Sequence, residues 1–303
     1  MPEKIDIAVA WDWAYDRDFI SLIDAESRRR GLRMSAFGAG EAAGAGAALK
    51  SGTLSVGTFL DRAAPDEEPF AALSAAMVSS GARCLNPADA VRKAADKATM
   101  HLEFLSHGIA VPYTIIISQY SHARQVELSL EQLARLGRPF IIKPANTTGG
   151  GTGVITGAET LRDVIDSRKH HQDDKYLLQE RVVPAELAGR RAWFRVFFVC
   201  GVIFPCWWDD FTHVYSEVTE EQIGSFSLSP LVTITRDISD VCRLDFFSTE
   251  IAMTSGGRFV TVDYVNEICD MRLQSRFADG VPDRLALAIS GLLAEAASDN
   301  GRE

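Results

Sequence analysis

The chain has 303 residues, of which 47% are hydrophobic and 24% are charged, and its formal net charge at pH 7 is −10. This length suggests two or three lobes rather than one simple core. The negative charge argues against a protein that binds the phosphate backbone of nucleic acids, because that affinity depends on clustered Lys and Arg.

The five cysteines are scattered and form no C-x-x-C pair, so neither a disulfide framework nor a zinc site is expected. The amino-terminal segment is charged and has no signal-peptide pattern. No uncharged apolar run approaches the roughly 18 residues of a membrane-spanning helix. We therefore predict a cytoplasmic protein that acts on neither nucleic acid nor membrane, with a homodimer as the default assembly of a soluble enzyme.

Strand and helix patterns alternate at the start of the chain. Apolar runs predict three strands, at 5–11, 32–37 and 55–60. Residues 16–30 have helical spacing and are followed by Gly31, a typical helix end. The Gly- and Ala-rich segment 38–52 lacks the G-K-[ST] ending of a P-loop, so we interpret it as a loop and poor helix. The alternation predicts a small open α/β lobe.

The rest of the chain mixes helices with paired strands. Asn86-Pro87 opens a helix that is expected to run towards Ser106, with Pro at an early helical position. Further predicted helices lie at 70–80, 129–137, 161–171 and 285–297. Predicted strands lie at 111–118, 140–143 and 176–183, and predicted hairpins at 192–208 and 246–265.

The most informative segment surrounds Lys143. A buried strand ends in this lysine and continues into a loop of small and hydroxylated residues at 147–153. Lysine supplies a point charge for phosphate. Glycines let backbone N–H groups approach phosphate oxygens without side chains in the way. The segment therefore predicts a lid over a polyphosphate, and hence a nucleotide site.

Other polar residues stand at the ends of predicted elements. Lys97 begins a helix, and Glu180 ends a strand where a carboxylate and exposed backbone could meet the amino group of adenine. Glu250 and Asp263 lie in β-branched strands, where acids are costly unless they are paired or bound to a cation. With Asn266 they offer oxygen ligands on neighbouring strands, which suit Mg²⁺.

The order of these features resembles the ATP-grasp superfamily over roughly residues 85–270. Within it, the chain is most similar to the branch that contains glutathione synthetase, D-alanine–D-alanine ligase and the ribosomal-protein glutamate ligase. The resemblance implies an α/β protein with an ATP-grasp fold and a preceding small open α/β domain. It places that first domain at 1–90 and the ATP-grasp domain at 91–303, with a small lobe at about 111–182 and a large lobe at about 183–303.

The resemblance also implies roles for individual residues. Lys97 and Lys143 would reach the α- and β-phosphates of ATP, and Arg195 would face the transferred phosphate, so that Lys143 and Arg195 are the catalytic residues. The lid and the hinge would complete the nucleotide site with Thr148, Gly149, Gly150, Gly151, Thr152, Gly153, Gln179, Glu180, Arg181 and Val182. The ligands of Mg²⁺ would be Glu250, Asp263 and Asn266.

The chain departs from the family pattern at two points near these residues. Trp193 stands where the D-x-R segment has its acid. The E-x-N pair appears as Asp263 and Asn266, one residue further apart, and these two face the same way only if the strand bulges. In the alternative register Tyr264 takes the place of the acid. We favour the bulge, because without it Glu267 and Asp270 would be the only other acids near this position.

The activity that the resemblance implies is an ATP- and Mg²⁺-dependent ligase that forms a C–N bond, or joins a thiol, through an acyl-phosphate. Its substrates would be a small-molecule carboxylate and an amine or thiol. The aromatic segment 11–15 and Arg272 are candidates for the acceptor site. Two alternatives stay open: a phosphotransferase that leaves a phosphoester on a small molecule, and a non-catalytic nucleotide-binding homologue.

Overall fold

The structure is a computed structural model that describes residues 2–63, 67–121, 126–146 and 153–299. Its described strands form one four-stranded parallel sheet, two antiparallel sheets of four and five strands, and a two-stranded hairpin. The architecture is a mixed α/β fold, as the sequence predicts. The predicted domain boundaries are not themselves tested and stay a prediction.

The first sheet is parallel and has the strand order β2-β1-β3-β4. Its two central strands are buried along most of their length, because helices cover both faces of the sheet. Within the segment 38–52, which was interpreted as a loop and poor helix, Ala39–Lys50 forms a regular 12-residue helix, since its alanines favour helix and bury one face. The elements are β1 (Glu3–Trp11), α1 (Arg17–Arg29), β2 (Met34–Phe37), α2 (Ala39–Lys50), β3 (Leu54–Arg62), α3 (Phe70–Ser79) and β4 (Arg83–Leu85).

Two helices, α4 (Ala88–Ala95) and α5 (Lys97–Ser106), replace the single predicted helix. The chain turns at Asp96, where ψ is 96°. The Asp96 carboxylate accepts hydrogen bonds from the backbone N–H groups of Ala98 at 3.0 Å and Thr99 at 3.3 Å, which makes it the N-cap of α5. This cap sets Lys97 at the first turn of a helix.

The second sheet is antiparallel, with the order β5-β8-β6-β7. The predicted capping box at Ser129 and the closing glycine Gly137 are confirmed. The elements are β5 (Thr114–Ile117), α6 (Leu130–Leu136), β6 (Phe140–Pro144), β7 (Ile155–Ala158), α7 (Leu161–Ser167) and β8 (Tyr176–Gln179).

The third sheet has the order β13-β12-β11-β14-β15 and contains both predicted hairpins. Helices α8 and α9, which the sequence reasoning did not predict, follow β13 along the chain. The elements are β9 (Glu186–Leu187), β10 (Arg190–Arg191), β11 (Trp193–Val199), β12 (Val202–Trp208), β13 (Tyr215–Glu217), α8 (Glu220–Ser225), α9 (Pro230–Cys242), β14 (Phe246–Met253), β15 (Phe259–Asn266) and α10 (Asp283–Asp299).

One hydrophobic core joins the first sheet to the third. Helices α1 and α10 pack against each other, and residues of β1, β11 and β14 share their cluster. A buried ion pair reinforces the junction: Arg62 donates to Asp16 Oδ1 at 2.7 Å and to the carbonyl of Cys269 at 2.8 Å. Among the described residues, no helix is long and apolar enough to cross a membrane.

Candidate functional site

The centre of the candidate site is the hairpin of β14 and β15. Glu250 lies directly opposite Asp263, and Ser248 lies opposite Asn266, so β15 holds one more residue than β14 between these pairs. This register shift is the bulge that the sequence predicts. It places Asp263, and not Tyr264, beside Glu250.

Arg195 connects the polar residues of this hairpin. It stands on β11 directly opposite Glu250, and its Nη1 donates to Glu250 Oε1 at 3.0 Å. Its Nε donates to Ser248 Oγ at 3.1 Å. With the Asn266 amide oriented by its neighbours, the side-chain oxygen accepts from Arg195 Nη2 and the nitrogen donates to the carbonyl of Ile268 at 3.0 Å. One guanidinium therefore orders two of the predicted metal ligands.

Two lysines approach the same hairpin from other elements. Lys97 Nζ, from the start of α5, is 3.8 Å from Asp263 Oδ1. Lys143 Nζ, from β6, is 4.0 Å from the same oxygen and donates to the carbonyl of Val262 at 3.1 Å. The backbone N–H of Lys97 also donates to the carbonyl of Ala145, which fixes α5 against the end of β6. The fold thus brings three predicted cations together around two carboxylates.

Burial and the neighbouring charges shift the pKa values of these groups. Burial, with the neighbouring Asp263, raises the pKa of Glu250. Burial also raises the pKa of Asp263, but Lys97 and Lys143 outweigh it and hold that pKa below its usual range. Burial lowers the pKa of Lys143, and the positive charge of Lys97 lowers it further. A site with three cations and two carboxylates has an excess of positive charge, which suits an anion.

Trp193 makes a contact that the sequence did not predict. The sequence showed only that a tryptophan stands where the family pattern has an acid. Its indole Nε1 donates to Glu250 Oε2 at 3.2 Å. On the other side of Arg195, the ring of Trp208 lies 5.5 Å from the guanidinium carbon and stacks on His213. Aromatic rings therefore flank the ion pair of Arg195 and Glu250.

The oxygen atoms of Glu250, Asp263 and Asn266 form a donor set that fits Mg²⁺. Two carboxylates and an amide on adjacent strands are hard ligands of the kind that Mg²⁺ accepts together with water and phosphate oxygens. The side chain of Asp263 is 31% exposed, which leaves it open towards the cleft. Across the described residues, no group of three His, Cys, Asp or Glu side chains could hold a metal, so the amide of Asn266 is needed to complete the set.

The whole chain superposes on solved structures of one fold. It matches a RimK-domain ATP-grasp protein from Sphaerobacter thermophilus at a TM-score of 0.64 and 20% identity, over 95% of this chain and 98% of that one. The chain has the ATP-grasp fold. D-cycloserine synthetase DcsG matches at 0.60 and 16% identity over 96% and 99% of the two chains. The ATP-grasp ligase PsnB, solved with a minimal precursor, Mg and ADP, matches at 0.63 and 14% identity over 98% and 99%.

No protein-family model matches the sequence, and no curated protein matches it either. At 14–20% identity the solved structures establish the ATP-grasp fold of this chain and leave its chemistry to be argued from its own residues. The sequence signals that allowed the fold to be predicted were the order and spacing of single polar residues.

In this ATP-grasp fold, Gln179 of the second sheet contacts the third sheet directly. Its Nε2 donates to the Tyr264 hydroxyl at 2.7 Å and to Thr114 Oγ1 at 3.1 Å. Its Oε1 is buried and has no hydrogen-bond partner among the residues that the structure describes. A buried carbonyl oxygen without a donor is costly, so this atom is suited to receive an N–H group from a bound molecule.

The neighbouring hinge residues are placed differently. The Glu180 carboxylate accepts a hydrogen bond from the backbone N–H of Tyr113 at 2.9 Å, so one of its oxygens is already engaged within the protein. Arg181 is exposed and Val182 is buried. The side chain that reaches the third sheet is therefore Gln179, whereas the sequence analysis gave the adenine contact to Glu180. Strand alternation fixes which of the two faces inward only once the sheet is known.

Most of the predicted phosphate lid, Thr148, Gly149, Gly150, Gly151 and Thr152, lies outside the described residues. Gly153 is described and has a φ of 75°. A Cβ atom there would lie 3.2 Å from Pro144 Cγ and 3.3 Å from His171 Nε2. Both the left-handed backbone and the close approach to Pro144 therefore favour glycine at this position.

Arg272, a candidate for holding an acceptor carboxylate, is already occupied. Its guanidinium donates to Asp270 Oδ2 at 2.8 Å and to Asp279 Oδ2 at 2.8 Å, and it lies over the rings of Trp13 and Phe277. Two internal aspartates engage Nε and Nη2 of Arg272, so a role in holding an acceptor carboxylate stays a prediction and would require these contacts to be exchanged. The aromatic segment near Trp13 remains partly exposed at this place.

Proposed function

We propose that the protein is an ATP- and Mg²⁺-dependent ligase that joins a carboxylate to an amine or thiol through an acyl-phosphate. The observation that carries this proposal is the convergence of Lys97, Lys143 and Arg195, from three separate elements, on the carboxylates of Glu250 and Asp263. Such an arrangement offers positive charge for a triphosphate and oxygen ligands for its metal ion. The matched proteins with this fold include a synthetase and a ligase, which supports the same interpretation.

The nucleotide would lie in the cleft between the second and third sheets. Lys143 and Gln179 stand on neighbouring strands of the second sheet and both reach the third. Gln179 Oε1 would accept a hydrogen bond from the amino group of adenine, a role that the sequence reasoning gave to Glu180. The residues of the lid, from Thr148 to Gly153, would close over the phosphates.

The chain's own residues would act mainly by positioning and charge stabilisation. In the first step a substrate carboxylate would attack the γ-phosphate, and ADP would leave as the acyl-phosphate forms. Arg195 would stabilise charge on the transferred phosphate, and Lys97 and Lys143 would do so on the α- and β-phosphates. When bound to Glu250, Asp263 and Asn266, Mg²⁺ would supply Lewis-acid stabilisation of the phosphate oxygens.

In the second step an amine or thiol would displace phosphate from the acyl-phosphate. Water must be excluded meanwhile, because it would hydrolyse this intermediate. The acceptor would enter beside the partly exposed Trp13 and Tyr15. Small molecules are the proposed substrates. All five cysteine thiols are unpaired, which supports the proposed cytoplasmic setting.

Calorimetric titration of an ATP analogue with and without Mg²⁺ would test the proposal. Binding should be Mg²⁺-sensitive and should weaken at least tenfold in Lys143→Ala, because one charged contact contributes about 1.5–3 kcal/mol. Lys169→Ala, at a surface ion pair outside the cleft, should bind like the wild type.

Screening carboxylates together with amines and thiols for ADP and phosphate release would then separate the activities. ADP, phosphate and a new amide or thioester identify a ligase, whereas ADP with a stable phosphoester identifies a phosphotransferase. Absence of nucleotide binding by the folded wild type would refute both.

A further inference from the structure

We propose that Trp193 is a positioning residue that holds the carboxylate of Glu250 in the orientation needed for metal binding. This inference rests on the proposed metal site. Its structural basis is a hydrogen bond of 3.2 Å from the indole Nε1 of Trp193 to Glu250 Oε2. Trp193 does not reach the metal ligands Asp263 or Asn266 by any hydrogen bond described here, so it acts through Glu250.

Trp193 and Arg195 hold the two oxygens of Glu250 from one strand. They are two residues apart on β11, so their side chains leave the same face of the sheet. Arg195 Nη1 donates to Oε1 at 3.0 Å, while the indole donates to Oε2. With one donor on each oxygen, rotation of the carboxylate about its last bond would break both hydrogen bonds.

The indole is itself fixed by packing. Trp193 is only 8% exposed and belongs to a small cluster of apolar side chains. The other buried members of the cluster are Val182, Ala252, Val260 and Val262. A donor held in this way cannot follow a rotating carboxylate, which makes it a geometric restraint. Magnesium demands near-ideal octahedral geometry, so the orientation of each ligand affects its affinity.

A neutral donor also suits the charge balance of the site. Glu250 and Asp263 already bring two negative charges to neighbouring positions. An acid at position 193 would add a third and would accept hydrogen bonds rather than donate them. The indole restrains Glu250 without adding charge, and it leaves the remaining lone pairs of both oxygens for the metal.

The test compares two Trp→Phe variants on the same sheet. Trp193→Phe removes the hydrogen bond to Glu250 and keeps an aromatic ring. Trp207→Phe removes a similar indole hydrogen bond, from Nε1 to Gln222 Oε1 at 3.0 Å, at a buried position that packs with Phe194 instead of Glu250. Both variants lose one buried indole donor, so a general loss of packing affects them alike.

The primary readout is Mn²⁺ affinity in the presence of saturating ADP, followed by electron paramagnetic resonance of the free ion. Loss of a residue that orients a metal ligand costs 10–100-fold in metal affinity, so we expect at least a tenfold loss in Trp193→Phe and none in Trp207→Phe. ADP binding without metal should be unchanged in both. Equal Mn²⁺ affinity in Trp193→Phe and wild type would overturn the inference.

A second measurement keeps the test decisive if Trp193→Phe fails to fold. The chain has five tryptophans, and the fluorine NMR signals of 5-fluorotryptophan can be assigned by single Trp→Phe changes at the other four. Addition of Mg²⁺ to the ADP complex should shift the Trp193 signal and leave that of Trp207 in place. A Trp193 signal that does not respond overturns the inference. Wild-type protein that binds neither ADP nor Mn²⁺ with ADP refutes the proposed function as well.

Discussion

Arg195 and Glu250 stand directly opposite each other on β11 and β14, and their side chains form an ion pair at 3.0 Å. The second carboxylate, that of Asp263, has two lysines near it: the Nζ atoms of Lys97 and Lys143 lie 3.8 and 4.0 Å from its Oδ1. In the free protein each predicted metal-binding carboxylate therefore already has a cationic partner. A metal ion that arrives alone must compete with these cations.

Mn²⁺ should consequently bind the free protein weakly and the ADP-bound protein at least about tenfold more tightly, because phosphate oxygens would take over the lysine and arginine contacts and release the carboxylates. Calorimetric titrations of Mn²⁺ with and without saturating ADP measure this difference. Equal affinities would show that the ion pairs do not compete with the metal.

Glu250→Gln should lower Mg²⁺-dependent ATP consumption by about 100-fold or more, because the amide loses the charge that binds the metal and can accept only one of the two hydrogen bonds that the carboxylate receives. Release of ADP under saturating Mg²⁺ is the measurement. Glu217→Gln changes an exposed acid on the same sheet and should be as active as the wild type. Full activity of Glu250→Gln would remove Glu250 from the metal site.

Lys97→Ala should weaken nucleotide binding by about tenfold, since it removes one of the charges proposed for the phosphates. It leaves Lys143, whose Nζ lies 4.0 Å from Asp263 Oδ1, as the remaining lysine beside that carboxylate. The matched control is Lys93→Ala on the preceding helix α4, which removes a surface ion pair between Lys93 and Glu103. If both variants bind the nucleotide like the wild type, the role of Lys97 at the phosphates is wrong.

His101 should make the protein less stable as the pH falls below 6.5. Burial, with the nearby charge of Lys143, lowers the pKa of His101 from 6.5 to about 4. Between these values the unfolded chain binds a proton that the folded chain does not, so the free energy of unfolding rises with pH across this window. The contribution lost between pH 7 and pH 5 is about 2 kcal/mol.

Urea unfolding of wild type and His101→Gln at pH 7 and pH 5 checks this. The variant should keep a hydrogen bond to the Tyr264 hydroxyl, which His101 Nδ1 contacts at 2.7 Å, and should lose that part of the pH dependence. His107→Gln, on the exposed face of the same helix, should retain it. A pH dependence that is unchanged in His101→Gln would contradict the assignment.

Arg62→Ala should lower the free energy of unfolding by about 3–5 kcal/mol, because it leaves the fully buried carboxylate of Asp16 without its partner. Arg28→Ala, at an exposed ion pair with Asp24, should cost less than about 1 kcal/mol. Denaturant titrations measure both values. A similar small cost for the two variants would mean that Asp16 finds another donor.

Much of the fold was predictable because its signals are local. The hairpin turn at Cys200-Gly201, the capping box at Ser129 and the alternation of the first lobe all depend on residues close in sequence. Helix α9 was not predicted, although Ser229-Pro230 marks its start with a proline at the first helical position. The sequence offered both a helix that runs on towards Ser106 and a helix that begins at Lys97, and the structure has the second because the Asp96 carboxylate caps α5.

The site was predictable as an ordered set of residues and less so in its contacts. The bulge between Asp263 and Asn266 followed from strand alternation and is present. The engagement of Arg272 by Asp270 and Asp279 could not be foreseen, because it arises from a loop conformation. The same is true of the indole contact from Trp193 to Glu250, which depends on the pairing of two strands far apart in sequence.

The shared core of the first and third sheets, with Arg62 joining them, has a mechanical consequence. Arg62 and the common cluster tie these two sheets together. The second sheet has a hydrophobic cluster of its own, but its Leu177 also packs in one cluster with Phe247 and Tyr264 of the third sheet. Any movement that carried Gln179 away from Tyr264 would therefore expose apolar side chains of that shared cluster to water, which costs free energy.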